Sequence, residues 1–159
     1  MRIRSGPEPG DIGAVTRLHG LVYAAEYELD RRFEASVAAR LVELTLRGWP
    51  GPGEGLWIAE NGSEPVGSIT LADQGHGLGR LGHFVLRAEA RGLGLGRSLV
   101  DAALARAREA GYARIELTTF SELTVAAKMY RAAGFVRVSS GERSPWGRPI
   151  QMEQYVLEL

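Results

Sequence analysis

Between Arg91 and Gly111 the chain reads RGLGLGRSLVDAALARAREAG, a glycine-punctuated turn feeding an amphipathic run. Gly92, Gly94 and Gly96 strip side chains from a short loop, so the backbone can take positive φ and a ligand can approach the main chain. Leu95, Leu99, Ala103, Leu104 and Ala107 then recur at helical spacing, with Arg97, Asp101, Arg108 and Glu109 opposite and Gly111 as a stop signal. Unpaired N–H groups at a helix N-terminus concentrate partial positive charge, which suits phosphate. The G-x-G-x-G spacing is not the G-x-G-x-x-G dinucleotide fingerprint, and no Gly-Lys-Ser/Thr closes the loop as a nucleoside triphosphate site requires. Two readings remain: a phosphate cradle of another kind, or a glycine-rich turn that only starts a helix.

A second set of polar groups lies near the N-terminus. His19, Tyr23, Glu26 and Asp30 follow steps of three and four, with Tyr27 adjoining. They form either a solvated helix face or a wall suited to an amine, since a histidine, two tyrosines and carboxylates make an unusual solvent face. Two further residues sit in apolar surroundings. His83 interrupts the run LGHFVL, and Tyr130 falls on an apolar helical stripe with Leu123, Ala126, Ala127 and Ala133, where pattern alone reads it as core.

The elements that must position these groups follow from hydrophobic periodicity. A short strand around Ile3 precedes a helix starting near Asp11, read as its N-cap, with Val15, Leu18, Val22, Ala25 and Leu29 as its buried stripe. Phe33, Val37, Leu41 and Leu44 mark a second helix ending at Gly48. Leu56–Glu60 and Pro65–Asp73 read as strands joined by an Asn61-Gly62 turn, and a third strand runs from about Arg80 to Arg87. Apolar on both faces apart from His83, that third strand belongs at the centre of the sheet. After the glycine turn and its helix come a strand over YARIELTT, a helix over Ser121–Ala133 with Ser121 as cap and Gly134 as terminator, the strand FVRVSS, and a last segment from Ile150 to Leu159. The last segment changes phase near Glu153 and Gln154, which indicates a bulge or burial on both faces. The order predicts one mixed α/β (α+β) domain over 1–159, with a central sheet of six to seven strands flanked by four helices.

Composition narrows the class. The 159 residues include no cysteine, which excludes disulfides, thiolate metal sites and a cysteine nucleophile. The formal charge is zero and the cations are scattered, nearly all of them arginine, so the footprint of a nucleic-acid binder is missing. Neither an apolar signal segment near the N-terminus nor a run of roughly 18 apolar residues is seen, and the expected setting is cytoplasmic, away from membranes.

Arg91-Gly92-Leu93-Gly94-Leu95-Gly96 resembles the Q/R-x-x-G-x-G/A signature of the GNAT superfamily of N-acetyltransferases. The resemblance extends to the apolar strand ending at Leu86, five residues before Arg91, to Tyr130 four residues ahead of Gly134-Phe135, and to the order of elements. Tyr23 to Tyr27, a Tyr-x-x-Glu-Tyr stretch, is also similar to members that stand alone or are fused to MarR-type regulators. This likeness implies acetyl-CoA as cosubstrate and no metal. It implies that the backbone of Phe84, Val85 and Leu86 pairs with the pantetheine arm, and that Arg91, Gly92, Leu93, Gly94, Leu95, Gly96, Arg97 and Ser98 hold the pyrophosphate. Many members place an Asn seven residues before the tyrosine to fix the pantetheine; here Leu123 stands there.

Acyl transfer to an amine needs a deprotonated amine, stabilisation of the oxyanion and a proton for the departing thiolate. The resemblance assigns the proton to Tyr130, a phenol that stays protonated at neutral pH. It leaves three candidates for the base: His83, Glu26, and a water chain, since Arg80 replaces the carboxylate many members carry at the start of that strand. Backbone N–H groups near Leu86 are the expected oxyanion donors, and His19, Tyr23, Glu26 and Tyr27 the expected acceptor wall. The expected partner is a small primary amine, amino acid or polyamine-like compound, with pairing of the last strands or first helices open as a route to a homodimer. An acyl-CoA-binding or sensing module with little turnover is the alternative, motivated by Leu123 and the open identity of the base.

Overall fold

Alternating faces of a single sheet collect two separate apolar clusters, and the computed structural model, which describes residues 1–159, shows how. Strands β1 (Arg2–Gly6), β2 (Gly55–Asn61), β3 (Glu64–Asp73), β4 (Leu78–Leu86), β5 (Arg114–Phe120), β6 (Val136–Arg143) and β7 (Ile150–Glu158) form a seven-stranded sheet in the order β1-β2-β3-β4-β5-β7-β6. All neighbours are antiparallel except β4 and β5. Helices α1 (Asp11–Tyr27) and α2 (Arg31–Leu46) cover one face; α3 (Leu95–Glu109) and α4 (Thr124–Ala132) cover the other. Leu56 and Ile58 of β2 pack under α1 and α2, while Trp57 and Ala59 pack under α3. Burial on both faces is why these strands read as continuous apolar runs. β4 is the fourth of seven strands, and α3 is its crossover to parallel β5. No helix is long and apolar enough to cross a membrane.

Several boundaries differ from the sequence expectation, each for a local reason. Gly10, with φ 95°, caps α1, and Asp11 lies inside the first turn. Its carboxylate takes the Glu8 N–H (2.7 Å) and both Nη atoms of Arg4 (2.9 and 2.7 Å), so an ion pair to β1 replaces capping. In α1 it is His19 and Tyr23 that are buried beside Val15 and Leu18, whereas Ala25 is exposed. The helix ends at Tyr27, and Glu28 in the left-handed region (φ 56°) turns the chain. Asp30 therefore leaves that face and caps α2, accepting the Arg32 N–H at 2.9 Å. Ser121 caps nothing: its N–H donates to the Gln151 carbonyl (2.9 Å), extending the β5–β7 ladder, and α4 starts at Thr124. The phase change in the last strand is burial on both faces. Ile150 and Met152 join the α1–α2 cluster, and Tyr155 and Leu157 join the α3–α4 cluster. The bulge lies in β6, between Arg137 and Ser139.

Arg4 ties β1 to α1 and β2 by bonding both Asp11 and Glu60. Its guanidinium holds both carboxyls below their ordinary range. A carboxylate with a depressed folded-state pKa adds stability above its unfolded pKa, and that stability is lost as pH falls through the folded value. Urea midpoints should drop below about pH 4, and Arg4→Met should lower the neutral midpoint while flattening this drop. An unchanged pH dependence would detach Arg4 from acid unfolding.

Candidate active site

The parallel pairing of β4 and β5 covers only Leu78–Arg80 against Arg114–Glu116; beyond that the two strands separate. The divergence is reinforced by a bulge: Ser68 opposes Val85 and Thr70 opposes Gly82, so Ile69 faces both His83 and Phe84. His83 takes a left-handed conformation (φ 47°), and the Ser68 hydroxyl holds its carbonyl at 2.7 Å. A bulge bends the strand and re-aims its side chains. The result is a cleft of about 610 Å³ between the strand ends, walled by α1, α2, the glycine turn and α4.

At one mouth of this cleft lies the glycine turn. Gly94 (φ 79°) is the N-cap of α3, and Gly92 (φ 75°) is also left-handed. Gly96 is needed for another reason: a Cβ there would come to 3.1 Å from the Leu86 side chain, so the third glycine lets α3 press against β4. The amides from Gly92 through Arg97 have no acceptor in the protein; the first bonded amide is Ser98, to the Gly94 carbonyl at 3.0 Å. Consecutive free N–H groups on a left-handed turn make an anion nest, and these fit a pyrophosphate. Leu93 and Leu95 contribute their backbone, since the Leu93 side chain is exposed. The Arg97 side chain extends into solvent, 3.7 Å from Asp101, and the Ser98 hydroxyl returns to the Gly94 carbonyl at 3.1 Å.

Arg91 is oriented differently. Its guanidinium forks onto Glu26 (2.8 Å to each oxygen) and bonds the Leu86 carbonyl (3.0 and 2.7 Å). Both Glu26 oxygens are thereby occupied, in a partly exposed pair joining α1 to the turn. The Phe84 carbonyl likewise takes the Tyr23 hydroxyl at 3.2 Å. The carbonyls of Phe84 and Leu86 thus receive side-chain donors from beyond β3, while Val85 is buried under α1 and α2.

Deeper in the cleft, α4 presents Tyr130 edge-on to Phe84 (6.1 Å between centroids) and to Phe135 (5.9 Å). The ring is buried, yet its hydroxyl has no protein partner and is not sealed from the cleft. Burial pushes its pKa well up, so the phenol stays protonated throughout the working range. Leu123, just before α4, lines the same space and offers no amide.

His83 and His19 meet edge to face at 5.8 Å. Burial pushes His83 down to about 3, and its Nδ1 lies 3.0 Å from the Thr70 hydroxyl. His19 is pushed down to about 4, again by burial, with Nδ1 on the Val15 carbonyl (2.8 Å) and Nε2 without a partner. Both imidazoles are therefore neutral above pH 5. Imidazole NMR signals of His19 and His83 should not titrate between pH 5 and 8. Stability should fall as pH drops below about 6.5, because the unfolded chain then binds protons the native state refuses. A midpoint near 6.5 for either buried ring would contradict their burial.

Tyr23 stacks on His19 (5.8 Å) and Tyr27 packs edge-on to Phe120 (5.4 Å). Their hydroxyl pKa values are raised, chiefly by burial. The sequence reading missed the rest of this wall. Phe33 and Arg40 come from α2 and Phe120 from β5, and Trp146 comes from the turn between β6 and β7 and meets Phe33 at 5.0 Å. Arg148 fastens that turn by bonding the Tyr27 carbonyl (2.7 Å) and Glu122 (2.8 and 2.9 Å). Apolar periodicity assigned Phe33 to the core, and nothing in the sequence marks where a loop will dock.

A split central sheet beside an amide nest is an architecture shared with known proteins. The chain belongs to the acetyltransferase (GNAT) family, whose profile matches residues 22–135. A mycothiol acetyltransferase from Sanguibacter keddieii is 35% identical over 138 residues, covering 82% of this chain and 42% of the relative. A second mycothiol acetyltransferase, from Cellulomonas flavigena, is 31% identical over 142 residues, covering 82% and 39%. The chain thus spans about two fifths of the length of these relatives. Among solved structures, a ribosomal-protein-alanine N-acetyltransferase from Brucella melitensis aligns over all of both chains with a TM-score of 0.78 at 18% identity. A phosphinothricin acetyltransferase from Sinorhizobium meliloti, solved in complex with acetyl-CoA, aligns over 99% of this chain and 88% of that one with a TM-score of 0.75 at 18% identity. At these identities the structural likeness speaks for the fold.

Proposed function

We propose that this protein is an acetyl-CoA-dependent N-acetyltransferase acting on the primary amine of a small molecule or amino acid, by direct attack within a ternary complex. The observation that carries the reading is the run of unpartnered amides from Gly92 through Arg97 at the mouth of the cleft between β4 and β5. Bound there, acetyl-CoA supplies a thioester whose C–S bond breaks as the amine nitrogen bonds to the acyl carbon. Gly92 to Arg97 hold the pyrophosphate through their N–H groups, and the edge of β4 from Phe84 to Leu86 lies alongside the pantetheine. Arg91 reaches that edge too, and its pairing with Glu26 fixes α1 against the turn.

Tyr130 is the proton donor to the leaving sulfur: its hydroxyl is protonated and open to the cleft. His83 at about 3 is too weak a base to take a proton from an ammonium group, and Glu26 is held by Arg91. The amine's proton accordingly leaves through water to bulk solvent, and kcat/KM rises with pH along the substrate amine's own ionisation.

Two measurements test this reading. Acetyl-CoA at 100 times its Kd should stabilise the fold by about 2.7 kcal/mol, raising Tm by about 5 to 10 °C, whereas NAD and ATP should not. Thiol release in the presence of an amine panel should then exceed release without amine. Binding without amine-dependent release would favour a sensing module, the role that Leu123 in place of an amide side chain would suit.

A further inference from the structure

The acceptor half of the cleft has no carboxylate free to attract a bare cation. Glu122 is the one acidic residue among its walls, and Arg148 occupies both of its oxygens. Glu26 is taken by Arg91, and the two buried histidines are neutral. The cations differ in how fully they are engaged. Arg80 gives two nitrogens to Glu116, and Arg91 is fully forked. Arg40 bonds Glu43 through Nη1 alone, at 2.8 Å, and its Nε and Nη2 have no partner. Glu43 is itself two-thirds exposed, so the pair is easily exchanged for a better anion. Arg40 and His83 line the same cleft. Around it the walls are aromatic: Phe33 against Trp146 at 5.0 Å and Tyr27 against Phe120 at 5.4 Å.

We infer that the acceptor is an amine carrying both a carboxylate and an apolar or aromatic body, the chemistry of a hydrophobic α-amino acid. Arg40 receives the carboxylate and the Phe33–Trp146 pair receives the side chain. This inference rests on the acetyltransferase reading and narrows its substrate class. A planar guanidinium with two free donors matches a carboxylate fork, and the Arg40 charge with no free carboxylate nearby disfavours polyamines, whose extra ammonium groups find no counter-ion. The amine itself is delivered as the neutral base, because no acidic group waits for it.

The test compares L-phenylalanine and L-leucine with their decarboxylated counterparts 2-phenylethylamine and 3-methylbutylamine, and with spermidine, in the full chain with acetyl-CoA. The amino acids should be acetylated with kcat/KM at least about tenfold above the decarboxylated amines, with spermidine lowest. Arg40→Gln should erase that advantage, raising KM about 10- to 100-fold for the amino acids while leaving 2-phenylethylamine unchanged, and Arg40→Lys should restore part of it. Trp146→Ala should raise KM for phenylalanine more than for alanine. Binding of N-acetyl-L-phenylalanine to the coenzyme A-loaded protein, followed by calorimetry, gives a readout independent of turnover and should weaken in Arg40→Gln. Preference for spermidine, equal loss for both amine classes in Arg40→Gln, or product binding indifferent to Arg40 would each overturn the inference. Absence of transfer to every amine, with Arg40-dependent product binding intact, would instead strike at the acetyltransferase reading and leave the ligand class standing.

Discussion

Tyr130→Phe should lower kcat by about 100- to 10,000-fold, the range expected when a positioned general acid is removed. Acetyl-CoA affinity and Tm should stay near wild type. The separation follows from the packing. The Tyr130 ring is held by Phe84, Phe135 and Tyr155, contacts that phenylalanine keeps. The hydroxyl bonds nothing in the protein, so its removal leaves no donor or acceptor stranded. Burial keeps the phenol protonated at neutral pH, and the wild-type rate should therefore show no falling alkaline limb from this group up to about pH 10. An unchanged kcat would remove Tyr130 from the proton path and leave it as a core residue.

Gly94→Val should weaken acetyl-CoA binding by about 10- to 100-fold, equivalent to losing one or two hydrogen bonds to a charged group. Gly94 caps α3 at φ 79°, a conformation that costs an ordinary L-residue about 1–2 kcal/mol. Relaxing it rotates the amides that precede and follow it, so the nest opens before the helix is lost. No atom lies within 4 Å of a Cβ built at this position, which rules out a simple clash as the cause. The control is Leu93→Ala: its side chain is exposed and only its backbone faces the nest, so calorimetry should give an acetyl-CoA Kd close to wild type. Equal loss in both variants would mean that the turn is held by side chains and not by its amides.

Much of this architecture is legible in the sequence because the determining signals are local. The double-faced strands, the helix after the glycine turn, and the stop signals at Gly111 and Gly134 depend on neighbours within one or two turns, and all stand where periodicity puts them. The nest is legible for the same reason. What was not legible depends on register and docking. The bulge that sets His83 in the left-handed region arises from how β4 pairs with β3, which no single-strand pattern encodes. Ser121 looks like a helix cap until the Gln151 carbonyl claims its amide. The Arg91–Glu26 pair joins residues 65 positions apart, and it turns two residues read as phosphate ligand and base toward each other. The proposed acceptor wall is assembled from α1, α2, β5 and the β6–β7 turn, so its charge balance becomes visible only once Arg148 is seen to occupy Glu122.

The most direct test is a single mass-spectrometric experiment on protein mixed with acetyl-CoA and L-phenylalanine. It should yield N-acetylphenylalanine and free coenzyme A in equal amounts. Without the amine, coenzyme A should stay acetylated and the protein mass unchanged, as direct attack in a ternary complex requires. Coenzyme A release without N-acetylated product, or an acetylated protein formed in the absence of amine, would contradict it.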